Sequence, residues 1–124
     1  MSTYRHKFKV WDTLNKVMKD WNYVVSQLDI TDVFGNKRFI PLQWTGLKDK
    51  NGNEIYNGDV VIAEYFNHSK ASTFIKQIVS FEKGTFTLKS QEIELEMTRQ
   101  NVPIHWADTI EIIGNIHQNP ELIK

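Results

Sequence analysis

The sequence predicts a mainly β protein, a β-rich α+β fold in which six to eight short strands form a small barrel or sandwich-like domain with minor helix. Apolar and polar residues alternate with a period of two in several short segments, the pattern of half-buried strands. Clusters of glycine, asparagine and aspartate separate these segments, as expected for tight turns. The four Trp, four Tyr and seven Phe suit pleated surfaces, and we expect them mostly in the core.

Length, charge and cysteine content limit the class of protein. The 124 residues and 40% hydrophobic content fit a single domain spanning residues 1–124. Fifteen Lys and Arg balance fifteen Asp and Glu, so the net field that steers a general nucleic-acid or membrane-surface binder is missing, although a local basic patch stays open. With no cysteine, no signal-like segment and no long apolar run, we expect a cytoplasmic protein that does not contact the membrane.

The N-terminal segment predicts a strand with one apolar and one basic face. Residues 12–15 then predict a turn. Residues 16–30 have an apolar spacing closer to that of a helix, although Trp, Tyr, Asn and paired Val are weak helix formers, so helix and strand both stay open. The first strand alternates Tyr4, His6, Phe8 and Val10 with Arg5, Lys7 and Lys9.

The middle of the chain is rich in turn signals. A turn at residues 34–37 precedes an extended segment in which Pro41 indicates an edge position or a break in the ladder. Asn51-Gly52 is the preferred pair of a type I′ hairpin turn, because both central residues of that turn need positive φ. Asn57-Gly58 repeats the same chemistry.

Further strands are predicted in the second half. Residues 60–66 are apolar enough for a central strand, residues 73–82 form another, and Lys83-Gly84 predicts a short hairpin to residues 85–88.

The C-terminal third predicts two more strands. The first, with an acidic outer face, alternates Ile93, Leu95 and Met97 with Glu92, Glu94 and Glu96. Pro103 and Trp106 indicate a loop, and residues 109–116 form a last strand interrupted at Gly114. Residues 119–121 have the order of a helix start, with room for one turn.

Three blocks, residues 5–12, 43–61 and 111–122, resemble the YopX-like family of phage and prophage proteins and lie in the expected order. The central block, QWTGLKDKNGNEIYNGDVV, is the longest and most specific. The resemblance implies a β-rich fold with a barrel-like portion, a homo-oligomer, and an origin in a phage or integrated element of a bacterial host. It implies no activity at any named residue. The turn-forming residues of the last two blocks, which we interpret as a structural motif, are Thr45, Gly46, Asp49, Asn51, Gly52, Asn57, Gly58, Asp59, Gly114 and Asn115.

One part of the central block suggests a metal site. Asp49, Asn51 and Asn53 place oxygen atoms at alternate positions, as a calcium-binding loop does. An EF-hand loop requires Gly at its sixth position and Glu at its twelfth, where this chain has Glu54 and Val60. We therefore interpret the segment as a hairpin turn.

No other pattern indicates a cofactor, a metal or a catalytic centre. The histidines lack the spacing of a zinc site, the serines lack a nucleophile elbow, and the glycines are spaced as turns. We expect no catalytic residue and no cofactor, and an enzyme is the least favoured class. The histidines are His6, His68, His105 and His117.

A small-barrel nucleic-acid-binding module is the alternative function. Gly58-Asp59 before a buried strand is similar to the start of a strand in SH3-like barrels, and Arg5, Lys7 and Lys9 form a basic strand face near aromatic residues. A solvated or edge-protecting face explains the same residues and is favoured.

The charge pattern suggests a possible pairing of strands. Arg5, Lys7 and Lys9 would match Glu92, Glu94 and Glu96 if the two strands adjoin within a chain or between subunits, each pair contributing roughly 0.2 to 1 kcal/mol. Two unrelated solvated faces are the favoured alternative. On balance the sequence predicts a self-associating structural or regulatory accessory protein.

Overall fold

The computed structural model describes residues 7–35, 37–67, 69, 71–90 and 101–123. The strands in these ranges are β1 (Phe8–Asp12), β2 (Val17–Lys19), β3 (Phe39–Lys48), β4 (Glu54–Tyr56), β5 (Asp59–Phe66), β6 (Ser72–Glu82), β7 (Thr85–Lys89), β8 (Asn101–Pro103) and β9 (Thr109–Asn115), and the helices are α1 (Trp21–Gln27) and α2 (Ile30–Gly35). One antiparallel sheet has the order β2-β1-β3-β4, and a second, curled sheet has the order β8-β7-β6-β5-β9. The mainly β prediction is confirmed, with nine strands in the described ranges instead of six to eight.

The segment whose spacing left helix and strand open contains both. After the short strand β2, Asp20 acts as the N-cap of α1, because its carboxylate accepts the backbone N–H of Tyr23 at 2.9 Å. Val24 of α1 and Val33 of α2 pack against Val10 of β1 in a small buried cluster. Burial of this face offsets the weak intrinsic helix propensity of the segment.

Asp12 organises the predicted turn between β1 and β2. Its buried carboxylate accepts the backbone N–H groups of Leu14 and Asn15, and the Arg38 guanidinium binds both oxygens at 2.9 and 3.0 Å. The guanidinium holds the pKa of Asp12 far below its usual range. The pair fixes the β1–β2 turn beside the start of β3.

Pro41 lies in β3, an inner strand of its sheet, but at a position that is paired with β1 only. Pro41 of β3 faces Val10 of β1, whereas the pairing of β3 with β4 is confined to Trp44 and Lys48. The missing N–H therefore faces no ladder with β4 at this point, which is where proline is tolerated in a sheet.

The larger core lies on the inner face of the five-stranded sheet. Ile55 of β4 belongs to this cluster, so the β3–β4 hairpin closes over the curled sheet. The buried members are Ile55, Val61, Ala63, Tyr65, Ile75, Val79, Leu88, Val102 and Ile104.

The type I′ turn occurs at a different place from the one predicted. Lys83 and Gly84 have φ values of 52° and 82° and join β6 to β7, as a type I′ turn requires. At Asn51-Gly52 only Gly52 has positive φ, so the type I′ prediction is wrong there. The Gly52 N–H donates to the Asp49 carbonyl and the Asp49 N–H to the Asn53 carbonyl, which is a three-residue hairpin loop ending in a left-handed glycine.

The C-terminal third differs from the prediction in two places. The loop predicted at Pro103 and Trp106 is instead the end of β8 followed by a 3₁₀ turn over Ile104–Trp106. The interruption of the last strand is a β-bulge at Ile113, beside Gly114, because Val60 and Val61 of β5 face Gly114 and Ile112. The predicted single helical turn is present as a 3₁₀ turn over Pro120–Ile123.

Two sequence predictions lie outside the described residues. They are the first half of the N-terminal strand, which includes Arg5, and the acidic strand that carries Glu92, Glu94 and Glu96. Among the described helices, none has the length and apolar character needed to cross a membrane.

Candidate functional site

The predicted turn motif connects the two sheets through Asp49. One carboxylate oxygen of Asp49 accepts two N–H groups of its own loop at 3.0 and 2.9 Å, and the other accepts the N–H of Ile112 in β9 at 3.0 Å. The N–H of Lys50 donates to the carbonyl of Ile110 at 2.9 Å. The loop therefore covers the outer edge of β9.

Asp59 forms a second connection at the start of β5. Its side chain is buried, accepts the backbone N–H of Tyr56 at 2.7 Å and accepts the Asn115 amide at 3.2 Å. Asn115 is itself buried, and its side-chain oxygen accepts the N–H of His117. The central and C-terminal blocks of the sequence thus meet in one hydrogen-bonded group.

The remaining turn residues shape the backbone around this group. Thr45 Oγ1 accepts the N–H of Leu47 at 3.1 Å, and Gly46 and Gly58 have φ values of +88° and +89°. The N–H of Gly58 donates to the carbonyl of Val79 at 2.8 Å, while Asn57 keeps an ordinary negative φ. Thr45 and Gly46 therefore shape the irregular part of β3 opposite β4, whereas Gly58 lies at the junction of the two sheets.

A cleft of about 400 Å³ opens at this junction. Four segments contribute to it: β1, the N-cap of α1, the β4–β5 hairpin, and the end of β9 with the turn that follows. Its polar lining residues are Lys9, Asp20, Asn53, Glu54, Tyr56, Asp59, Asn115 and Gln118.

Burial controls the electrostatics of the cleft. Burial raises the pKa of Asp59 above its usual value, against the effect of its two hydrogen-bond donors. Burial together with the neighbouring Glu54 carboxylate raises the pKa of Tyr56, so its hydroxyl stays protonated. The Lys9 ammonium lies 4.4 Å from the centre of the Tyr56 ring, a cation–π contact.

The described part of the predicted basic face is occupied by contacts within the chain. The Lys7 ammonium lies 4.4 Å from the centre of the Trp44 ring and forms an ion pair with Glu54. Lys9 is held on Tyr56 in the same way. The predicted pairing of Lys7 and Lys9 with the acidic strand stays a prediction, because Arg5, Glu92, Glu94 and Glu96 lie outside the described residues.

A second cavity of about 320 Å³ lies between the β3–β4 loop and the start of β9. Leu47, Ile55, Ile104 and Ile110 give it apolar walls, and His105 lies at its border. Thr109, at the start of β9, also lines the cavity, and its hydroxyl donates to the Glu64 carboxylate at 2.9 Å.

The polar groups of the larger cleft serve the fold. Asp59 and Asn115 have their oxygens engaged by backbone or amide donors, so they hold the sheets together. Among residues 7–123 that the structure describes, no group of three or more His, Cys, Asp or Glu is placed to bind a metal.

His117 stacks on Trp11 with ring centres 6.0 Å apart, and burial lowers the pKa of this histidine.

The outer face of the five-stranded sheet carries exposed aromatic side chains that sequence analysis missed. Phe74 of β6 is 62% exposed and Phe66 of β5 is 50% exposed, contrary to the expectation that aromatic residues lie mostly in the core. Glu64 and Lys76 lie on the same face, since Ala63, Tyr65 and Ile75 point into the core between them. We call Glu64, Phe66, Phe74 and Lys76 the outer patch.

A signal for this patch is present in the sequence. Phe74 is two residues from Lys76, and Phe66 is two residues from Glu64. In a strand of period two, an aromatic residue that shares a face with a charged residue lies on the solvent side. Composition alone assigned these side chains to the core.

Comparison with known proteins identifies the family. The family model described as "YopX protein" matches residues 7–124. The chain belongs to the YopX family. This match covers all three blocks except the first two residues of the N-terminal one, and it confirms the predicted resemblance.

A solved structure extends the comparison of this YopX family member to three dimensions. The crystal structure of protein EF1440 from Enterococcus faecalis is similar, with a TM-score of 0.61 and 25% sequence identity. The similarity covers 96% of this chain and 98% of that chain, so the fold is shared over nearly the full length of both. Among curated proteins, none matches this sequence.

Proposed function

We propose that this YopX family protein is a non-catalytic, self-associating accessory protein of a phage or prophage, with a structural or regulatory role in the bacterial host cytoplasm. The observation that carries the proposal is the outer patch, where two phenylalanine side chains at least half exposed lie on one sheet face. Exposed apolar patches on soluble proteins commonly mark surfaces that contact other proteins. The phage origin rests on the family resemblance alone.

The use of polar residues at the sheet junction supports a non-catalytic role. A catalytic carboxylate must reach the substrate, whereas Asp49 and Asp59 are buried and bind donors of the protein itself. Their hydrogen bonds instead fix the turns and join the sheets. The part of the chain most specific to the family therefore has a structural explanation.

Nucleic-acid binding is the alternative, and the described basic residues give it little support. Lys7 and Lys9 lie against Trp44 and Tyr56, and Lys7 is also paired with Glu54. A phosphate would have to compete with these contacts, and the chain has no net positive charge.

Sedimentation equilibrium of the wild-type protein tests self-association. We expect a concentration-dependent dimer or larger oligomer between about 1 µM and 1 mM, because an association free energy of about −8 to −4 kcal/mol corresponds to Kd values in this range. A monomer throughout this range would contradict the proposal. Salt-dependent binding to single- or double-stranded DNA or RNA, measured by fluorescence anisotropy, would instead favour the alternative.

A further inference from the structure

The register of β5 and β6 gives the outer patch a defined arrangement. Glu64 lies directly across from Phe74, and Lys76 is the next residue of β6 on the same face. Phe66 lies one position further along β5 on that face. The patch therefore has an aromatic centre with an acidic and a basic side chain on two sides of Phe74.

On the outer face of β5 and β6, the most exposed apolar side chains lie at one end. Val60 lies on the same side of β5 as Glu64 and Phe66 but is fully buried, and Ile78 on β6 is half-buried. Exposure of apolar atoms is thus concentrated where β5 ends and β6 begins. A partner that covers this end would bury both phenylalanine rings without disturbing the junction of the sheets.

The outer patch of one copy is complementary in charge to the outer patch of a second copy. Lys76 has no ion pair among the residues that the structure describes, and Glu64 accepts a hydrogen bond from Thr109 Oγ1 at 2.9 Å. In a two-fold symmetric contact, a pair of residues from the two copies occurs twice, because residue i of the first copy meets residue j of the second and residue j of the first meets residue i of the second. A two-fold axis near Phe74 would place each Glu64 beside the Lys76 of the other copy. Each copy therefore supplies both the anion and the cation that the two reciprocal ion pairs need.

We propose that a second copy of this chain docks on the outer patch in a two-fold symmetric, face-to-face contact. The phenylalanine rings form its centre and reciprocal Glu64–Lys76 pairs its edge, as in an interface with an apolar core and a polar rim. The inference rests on the proposed self-association and names the surface that carries it. In this dimer the outer faces of the two sheets pack against each other, and their side chains interdigitate as in other sheet-on-sheet contacts.

The aromatic centre is tested with the double variant Phe66→Thr/Phe74→Thr. Threonine keeps a high strand propensity and removes the exposed rings, so the fold is expected to persist. We expect the dissociation constant of the dimer, measured by sedimentation equilibrium, to rise at least about tenfold. Val25→Thr is the matched control, because Val25 is 59% exposed on α1, away from the outer patch, and its substitution is expected to leave the dissociation constant unchanged.

The edge is tested by charge reversal. Glu64→Lys and Lys76→Glu each place like charges together across the two-fold axis, and each is expected to weaken the dimer about fivefold or more. The combined variant restores opposite charges and is expected to return the dissociation constant to within about threefold of the wild type. Circular dichroism checks that each variant is folded.

The possible failures are distinguishable. A wild type that self-associates, together with a threonine double variant of unchanged affinity, overturns the outer patch as the interface and leaves self-association intact. A wild type that is monomeric up to about 1 mM overturns both proposals, and the patch then belongs to a partner of different sequence. Failure of the combined charge variant to recover removes the two-fold arrangement.

Discussion

Short polar side chains explain why the central block resembles a metal-binding loop. Asp49 accepts the N–H groups of Asn51 and Asn53, which are the alternate positions that suggested calcium ligands. An aspartate at the start of a turn bonds to backbone groups two and four residues on, and this produces the same spacing. The oxygens that would bind a cation are thus used by the turn.

Gly114 is required by space and not by its backbone angle. A Cβ atom at this position would lie 2.5 Å from Leu122 Cδ1 and 2.7 Å from Asn119 Oδ1. We therefore predict that Gly114→Ala lowers the free energy of unfolding by about 1 to 3 kcal/mol, measured by urea denaturation. Gly35→Ala is the control, because no atom lies within 4 Å of its would-be Cβ and its φ is not positive. Equal stability of the two variants would contradict the steric explanation.

At the scale of elements, the sequence predicts where turns occur better than which type they adopt. Lys83-Gly84 has the positive φ values of a type I′ turn, although Asn51-Gly52 has the preferred residues. At Asn51-Gly52 the carboxylate of Asp49 fixes the loop through two N–H groups, and this favours a three-residue loop. The residue pair Asn-Gly alone therefore does not determine the turn type, because the hydrogen bonds of Asp49 two residues earlier decide it.

A substitution at Lys83 tests whether the type I′ turn is more stable with a residue that tolerates positive φ. Lysine is strained at a φ of 52°, whereas asparagine tolerates the left-handed region. We predict that Lys83→Asn raises the free energy of unfolding by roughly 0.5 to 1 kcal/mol, measured by urea denaturation. Asn51→Lys is the reciprocal control and should change stability by less than about 0.5 kcal/mol, since Asn51 has no positive φ. A loss of stability in Lys83→Asn would show that the lysine side chain makes a contact worth more than the strain.

The sequence predicted the strands well and the helices poorly. Period-two alternation identified β1 and a continuous apolar run identified β5, because both signals depend only on neighbouring residues. The start of α1 depends on the Asp20 cap and on burial of Val24 against β1, and only the first of these has a signal in the sequence. The cleft could not be predicted, because its residues come from four segments that only the tertiary fold brings together.

At the scale of the whole molecule, buried polar contacts between the two blocks join the sheets. Asp59 and Asn115 are 56 residues apart in sequence and 3.2 Å apart between their side-chain atoms. Since both are buried, exchanging one amide for a carboxylate places two acids in contact without access to water.

We predict that Asn115→Asp lowers the free energy of unfolding by about 3 kcal/mol or more at pH 8. Two neighbouring carboxylates raise each other's folded-state pKa above the unfolded value, and burial already raises the pKa of Asp59. The folded variant therefore takes up a proton as the pH falls, and its deficit relative to the wild type shrinks between pH 8 and pH 5. Urea denaturation across this pH range measures the difference.

Asn119→Asp provides the control for this prediction. The Asn119 side-chain oxygen accepts the N–H of Asn115, and a carboxylate can accept the same bond. Its stability should stay within about 0.5 kcal/mol of the wild type at each pH. A deficit of Asn115→Asp that does not change with pH would show that the two carboxylates are not coupled.

The type I′ turn at Lys83-Gly84 also has a consequence for the order of folding. The β6–β7 hairpin pairs residues that are close in sequence, from Glu82 with Thr85 outward, whereas the paired residues of β5 and β9 are 45 to 56 positions apart. Local pairs close with a small loss of chain entropy, and distant pairs close late. We therefore expect the hairpin to form early in the curled sheet and the pairing of β5 with β9 to form late.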